Sequence, residues 1–507
     1  MRVHQSLPYA ALTLTAQRVH AIVTLDITNA SSISAAAQVV VERIVGLYGN
    51  SADFPVGTGT PGLFPEPYYW WESGLAWDSL IRYWALTGDD TYNNLVREGL
   101  LFQLGPDSNF LPPNQTKSEG NDDQSYWALA AMTAAEYGFS APTAGLGMTW
   151  DQIAQNVFAS QAARWDDGTC GGGLRWHAHI HLERPNVAIF TFNNGYNYKN
   201  SHSTGNLVQL AARLAAFTGN TTYSDWAEKG TQWALDTGLI SGANETFGAV
   251  YDGMDTDTNC SQINHLQWTA GVGTFLSGSA YAANVSDSKF WQQLIFAFAI
   301  QANLTFTTDS NAILIESACA PTNSCTTDQL AGRAVLARAL ANARDLTPDT
   351  PLYHRAGNAS TPVNVTAPPG ELIGTQHGAI DDVLRASAVS AASMCSQDRS
   401  GIVTCVTASP DGDASLLDMS PGLGEALSAL ELLLANLPAK GLKTANGTSA
   451  ATGAAGNGTA TGPTISGAAN SSAAAGASAG ASNGAAVSKG STIALVFGLG
   501  MTFALLL

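Results

Sequence analysis

The sequence predicts an all-α fold, a toroid or solenoid of helical hairpins, followed by a segment that does not fold. Apolar residues recur at i, i+3 and i+4 spacing through most of residues 30–438, and clear period-2 strands are few. A two-helix unit recurs along the same stretch at irregular intervals of roughly 50–80 residues, as in hairpin repeats. From residue 443 the composition turns to Gly, Ala, Ser, Thr and Asn, which cannot bury enough apolar surface to fold.

The repeats fall in order along the chain. "LIRYWALTGDDTYNNLVREGLLF" (80–102) aligns with "LAARLAAFTGNTTYSDWAEKGTQWAL" (210–235). Each is an apolar helical run, a Thr-Gly-Asp/Asn break, and a Tyr opening a second run. Weaker echoes are "LAAMTAAEYGFSAPTAGLGMTWDQIAQNVF" (129–158) and "LSGSAYAANVSDSKFWQQLIFAFAI" (276–300), and "RAVLARALANARDLTPDT" (333–350) opens a fifth. The long links between hairpins gather at one end of such a fold, and function is expected there.

Those links have an unusual composition. "GLFPEPYYWWESG" (62–74) carries four consecutive aromatics before Glu72. "CGGGLRWH" (170–177), "FNNGYNYKNSHSTGN" (192–206), "VYDGMDTDTNC" (250–260) and "INHLQWTAGVG" (263–273) add glycines, amides, tyrosines, Asp252 and Trp268. Aromatic faces stack on the apolar faces of sugar rings, and amides and carboxylates bind hydroxyls. Any one link reads equally well as core aromatics with loop residues; together they favour a carbohydrate site. From them Trp70, Trp71, Tyr196, Asn197 and Trp268 are nominated as sugar contacts, with Gln124 and Asp252 as hydrogen-bonding partners.

The charge balance agrees. With 22 basic and 40 acidic residues, the net charge of −18 excludes the basic footprint of a nucleic-acid partner. The six cysteines contain no CxxC pair, so a thiolate zinc site is not expected. An even count, with sequons at Asn29, Asn114, Asn220, Asn244, Asn284, Asn303, Asn358, Asn364, Asn446 and Asn457, points to an oxidising compartment. Pairing by proximity gives Cys319–Cys325 and Cys395–Cys405, leaving Cys170–Cys260, one of 15 possible connectivities. Alternating His177, His179 and His181 would share one face of a strand, but no acidic fourth ligand is evident and no metal is expected. Asp252, Asp255 and Asp257 lack the spacing of an EF-hand loop and read as a solvated acidic loop.

The chain closes on "TIALVFGLGMTFALLL" (492–507), too short for the roughly 20 residues that span a bilayer. Small residues, a polar spacer holding Lys489 and this tail form a GPI-attachment pattern, with Asn483 or a small residue before it as the attachment site. At the other end, the apolar stretch of residues 1–25 is broken by Gln17 and Arg18. It reads as a degenerate secretion signal or a mis-assigned gene start. The expected domains are thus 1–25 leader, 26–440 folded domain, 441–490 linker and 491–507 tail.

Within "SEGNDDQSYWALAAM" (118–132), Asp122 and Asp123 stand side by side where an apolar run begins. The plainer reading is Asn121 or Asp122 as N-cap with Asp123 as a first-turn acid. Two adjacent acids ask for more. An enzyme that cleaves sugar linkages works with two carboxyls close together. Neighbours at a helix start, diverging by roughly 100°, can supply them. Two close carboxylates resist joint ionisation, so one stays protonated and can serve as an acid.

"YYWWESG", "GNDDQ", "CGGGLRW", "NNGYNYKNS", "ARLAAFTGN", "VYDG" and "QWTAGV" occur in the order found in glycoside hydrolase family 76. Across roughly 25–440 the chain resembles the fungal GPI-anchored branch of that family. The resemblance implies an (α/α)6 barrel and a retaining mechanism on α-1,6-linked mannose, with no cofactor. It implies Asp122 as nucleophile and Asp123 as acid/base. It also implies transfer of GPI-glycan-linked mannoproteins onto wall glucan by an extracellular, plasma-membrane-anchored monomer. The alternatives are a hydrolytic endo-α-1,6-mannanase and a catalytically silent mannan-binding wall protein. Residues 177–188 depart from the family pattern, as a loop insertion or a translated intron.

Overall fold

In a computed structural model the chain forms the expected helical ring. The structure describes residues 21–22, 25–51, 54–55, 59–115, 119–142, 145–177, 195–242, 248–286, 288–308, 311–353, 372–397, 403–405, 422–445 and 447–448. Most of the expected leader, His179, His181, the rest of the 178–188 insertion, Asn483 and the apolar tail lie outside these residues.

Six helices form an inner ring: α2 (Trp70–Thr87), α4 (Asn121–Tyr137), α6 (Ser201–Thr218), α8 (Thr269–Asn284), α10 (Thr327–Leu346) and α12 (Leu423–Leu434). Each packs on the next, and α12 returns to α2 to close the circle. Outside them lie α1 (Ala30–Gly49), α3 (Asn93–Phe102), α5 (Trp150–Ala162), α7 (Thr221–Asp236), α9 (Lys289–Phe306) and α11 (Gln376–Met394). The architecture is an (α/α)6 barrel.

The Thr-Gly breaks read from the sequence are the hairpin turns. Gly88 and Gly219 end α2 and α6 with φ of 84° and 73°, a left-handed conformation that β-carbon-bearing residues resist. Their amides close back on Trp84 and Ala215. The sixth hairpin is not contiguous in sequence. α12 pairs with α1, so the two ends of the domain seal the ring. By length and composition α1 could cross a membrane. Here it buries Ile33, Ala36, Ala37, Val40, Val41 and Ile44 as an outer helix of the barrel.

Inner helices approach closely where a glycine faces the neighbouring helix. A β-carbon at Gly278 would lie 3.0 Å from Val208 of α6, and one at Gly273 3.1 Å from Leu336 of α10. At Gly424 it would overlap the Thr327 carbonyl oxygen and come within 2.8 Å of the Ala331 amide nitrogen. Backbone cannot give way as a side chain can. Gly424→Ala is therefore expected to cost about 1–3 kcal/mol of stability, measured by denaturant unfolding, through overpacking between α10 and α12.

The inner helices all run the same way, so their N-termini meet at one end. Farther along them, charges lie buried inside the ring. Arg338 bonds Asp78 and Glu431, and Arg82 bonds Glu431. Arg213 holds Glu136 through two bonds of 2.9 and 2.7 Å.

Candidate active site

The N-terminal mouth of the ring holds a cavity of about 230 Å³. It is lined by the first turns of α2, α4, α6, α8 and α10: Trp71; Asp122, Asp123 and Tyr126; His202; Ala270; Asp328, Gln329 and Gly332. Trp176, Trp268 and Glu316 complete it from the links.

Capping explains most of the acids here. Glu72 Oε2 accepts the Tyr69 amide (2.8 Å), Asp123 Oδ2 the Gly120 amide (2.6 Å) and Glu425 Oε2 the Gly422 amide (3.1 Å). Each acid sits three residues into its helix and reaches back over the start, as in half of a capping box. The N-cap of α4 is therefore Gly120, correcting the expectation of Asn121 or Asp122. Asp123 has a structural duty; Asp122 is the acid left over. Asp122 Oδ1 accepts the Asp123 amide (3.0 Å), and its Oδ2 accepts Asn200 Nδ2 (3.1 Å). Both carboxyls close over Gly120, where a β-carbon would overlap Asp122 Oδ1 and lie 3.0 Å from Asp123 Oδ2. Asn121 pins this helix start from behind, its amide bonding the Trp176 carbonyl at 2.8 Å and its Nδ2 the Arg175 carbonyl at 2.7 Å.

The two aspartates differ in electrostatics. Burial raises Asp123 well above the usual carboxylate range, and the Asp122 charge raises it further. Burial also raises Asp122, but His202, the Asn200 amide and the Asp123 N–H favour its charged form. Of the pair, Asp123 is pushed further toward its protonated form. Burial also lifts Glu72 to about 8 and Glu316 to about 7. Such groups keep protons in the folded chain that the unfolded chain releases near pH 4.5. Their contribution to stability is full below that value and is lost as pH rises from there to 7–8, by about 1.4 kcal/mol per unit per group. Thermal unfolding is expected at a higher temperature at pH 5 than at pH 8.

The nominated contacts divide. Trp71 faces the cavity, 4.7 Å centroid to centroid from Tyr126. Trp268 faces it too, its indole nitrogen donating to Asp252 Oδ1 at 3.0 Å. Asp252 works from behind: its Oδ2 accepts Tyr198 Oη (2.5 Å) and Asn264 Nδ2 (3.0 Å), so it fixes Trp268. Trp70 does not reach the cavity. It stacks on Trp127 at 5.1 Å and donates to Gln103. Gln124 is also turned away and fully buried, bonding the Asn109 carbonyl, Gln161 and Arg164. Tyr196 lies under the Arg175 guanidinium at 4.4 Å, and Asn197 is exposed and donates to Asp257. Neither lines the cavity.

Disulfides brace these links. Cys170 is bonded to Cys260, joining two of them, and Cys319 to Cys325 beside Glu316. Cys395 is also disulfide-bonded, with Cys405 opposite it in register. The fully buried Lys199 ties the 166–172 loop through three carbonyls at 2.5–3.0 Å. Among the described residues, no three His, Cys, Asp or Glu side chains are grouped as a metal site would need. Asp255 and Asp257 spend oxygens on the Asp257 amide and on Asn197.

Sequence reasoning missed His202, Tyr126, Asn200, Trp176 and Glu316. His202 and Asn200 lay in a quoted link but carried no periodic signal. Glu316 lay in none; it caps α8 from outside, both oxygens 3.2 Å from the Thr269 amide.

A helical barrel whose N-terminal mouth holds two adjacent carboxyls among aromatic side chains has the make-up of a glycoside hydrolase. Residues 32–356 match the Glycosyl hydrolase family 76 profile, and the chain belongs to that family. It is 38% identical to the mannan endo-1,6-alpha-mannosidase DCW1 of Saccharomyces cerevisiae, over 81% of this chain and 80% of that one. It is 35% identical to the mannan endo-1,6-alpha-mannosidase DFG5 of the same yeast, over 84% and 83%. Among solved structures, Dfg5 from Chaetomium thermophilum in complex with glucosamine superposes with a TM-score of 0.65 at 31% identity, covering 81% of this chain and 91% of that one. The GH76A α-1,6-mannanase of Salegentibacter sp. HEL1_6 shares the fold, with a TM-score of 0.55 at 16% identity, covering 80% and 98%.

Proposed function

We propose that this chain is a retaining α-1,6-mannosidase that passes its mannosyl group to a sugar hydroxyl in the fungal cell wall. One observation carries the reading: two adjacent carboxyls, Asp122 and Asp123, face one aromatic-lined cavity. The relatives' naming as mannan endo-1,6-α-mannosidases supports the linkage and the sugar.

In this reading Asp122 attacks the anomeric carbon as the glycosidic C–O bond breaks, and Asp123 protonates the departing oxygen. An acceptor hydroxyl then attacks the same carbon, gives its proton to Asp123 and releases Asp122. Trp71 and Trp268 offer faces for the sugar rings. A sugar acceptor in place of water makes the enzyme a transglycosylase, with a GPI glycan as donor and wall glucan as acceptor. The GPI-attachment pattern at the C-terminus would hold it at the plasma membrane beside both. With water as acceptor the same residues give an endo-mannanase.

The test is to incubate the protein with an α-1,6-mannooligosaccharide and a labelled glucan oligosaccharide, then weigh the products. Label joined to a mannosyl fragment is expected. Shortened mannan alone would replace the transferase reading with the hydrolase. Binding without any product would leave a silent mannan binder.

A further inference from the structure

We propose that His202 reads the axial 2-hydroxyl of the mannose being transferred and so sets the enzyme's preference for mannose over glucose. The inference rests on the reaction proposed above and names a specificity residue for it.

His202 lines the cavity with Asp122 and Asp123, and its Nε2 is buried without a hydrogen-bond partner. A buried polar atom left unpaired is costly, so one facing a cavity points to a ligand group. Its position is fixed relative to Asp122. Asn200 caps α6 by accepting the Ser203 amide (2.8 Å), and the same carboxamide donates to Asp122 Oδ2 (3.1 Å). His202 stands in that first turn, so imidazole and carboxylate belong to one braced unit. Gly271 flanks the ring; even a β-carbon there would stay 3.7 Å from Nε2.

Sugar stereochemistry supplies the rest. In an α-mannoside the leaving oxygen departs from one face of the ring, so the nucleophile approaches C1 from the other. The axial O2 of mannose projects on that second face, from the carbon next to C1. In glucose O2 is equatorial and points outward. A polar group flanking the nucleophile thus meets O2 of mannose and misses O2 of glucose. Hydrogen bonds to this hydroxyl strengthen in the oxocarbenium-like transition state, so the contact acts mainly on kcat.

The test compares an α-1,6-mannobioside with its 2-deoxy analogue, altered in the reacting unit, on wild type, His202→Phe and His202→Gln. Intrinsic reactivity of the deoxy sugar cancels, because both substrates meet each enzyme. The preference for the hydroxylated substrate is expected to fall in His202→Phe by about 10-fold or more, mostly in kcat. Unchanged preference in a folded variant would overturn the inference while leaving the reaction intact. No wild-type turnover of either substrate would overturn the functional reading and this inference with it. Wild-type crystals soaked with the mannobioside give an answer independent of the variants. Nε2 within hydrogen-bond distance of O2 is expected, and O2 held by another side chain overturns it.

Discussion

Asp122→Asn is expected to abolish turnover of α-1,6-mannooligosaccharides, lowering kcat by on the order of 10⁴-fold or more while the protein stays folded. The amide is nearly isosteric and its one oxygen can still accept the Asp123 N–H, at the expense of the bond from Asn200; the main loss is that of the proposed nucleophile. Asp123→Asn is expected to cost about 10²–10⁴-fold, and much less on a substrate with an activated leaving group that needs no proton. Asparagine can still accept the Gly120 N–H, so the start of α4 survives. The two variants thereby separate capping from catalysis. If Asp123 only capped the helix, Asp123→Asn would be nearly silent in rate. Since Asp122 must be charged and Asp123 protonated, the wild-type kcat/KM profile is expected to be bell-shaped. Both limbs lie above the usual aspartate range, because both groups are raised.

Glu431→Gln is the substitution expected to damage the fold most. Burial works against the Glu431 charge, but Arg338 and Arg82 outweigh it and hold its carboxyl at about 2. Neutralising it leaves Arg338 with Asp78 and takes from the buried Arg82 the carboxylate it bonds, at a cost of about 3–5 kcal/mol. A depressed carboxyl stabilises the fold above its unfolded pKa near 4.5, and that contribution fades as pH falls toward 2. Denaturant unfolding at pH 7 should therefore show the full gap between wild type and variant, and at pH 3 a smaller one. An equal gap at both values would mean that the charge is not what binds α2, α10 and α12 together.

Much of this was legible in the sequence. The Thr-Gly breaks marked hairpin turns because few other residues adopt the left-handed conformation that closes those helices. What stayed hidden was ring closure, since α1 and α12 lie nearly 400 residues apart in a chain whose other hairpins are local. Among the aromatics, Trp70 and Trp71 looked alike. Neighbours on a helix point roughly 100° apart, and here Trp70 turns back onto Trp127 while Trp71 faces the cavity. Gln124 went to the back of α4 for the same reason. Tyr196 and Asn197 sit on a link whose path no periodicity fixes. The acids were ambiguous because capping and catalysis use the same residue type at the same place. Glu72 and Glu425 show what capping accounts for: one acid three residues in is the barrel's ordinary cap, and Asp122 exceeds that need.

The most direct test is to trap the intermediate. A 2-deoxy-2-fluoro α-mannosyl donor with a good leaving group forms the glycosyl-enzyme and slows its breakdown. Peptide mass spectrometry of the treated protein is predicted to find the sugar on Asp122, absent in Asp122→Asn. A label on Asp123, on Glu316, or nowhere while the product's anomeric configuration inverts, would contradict the mechanism.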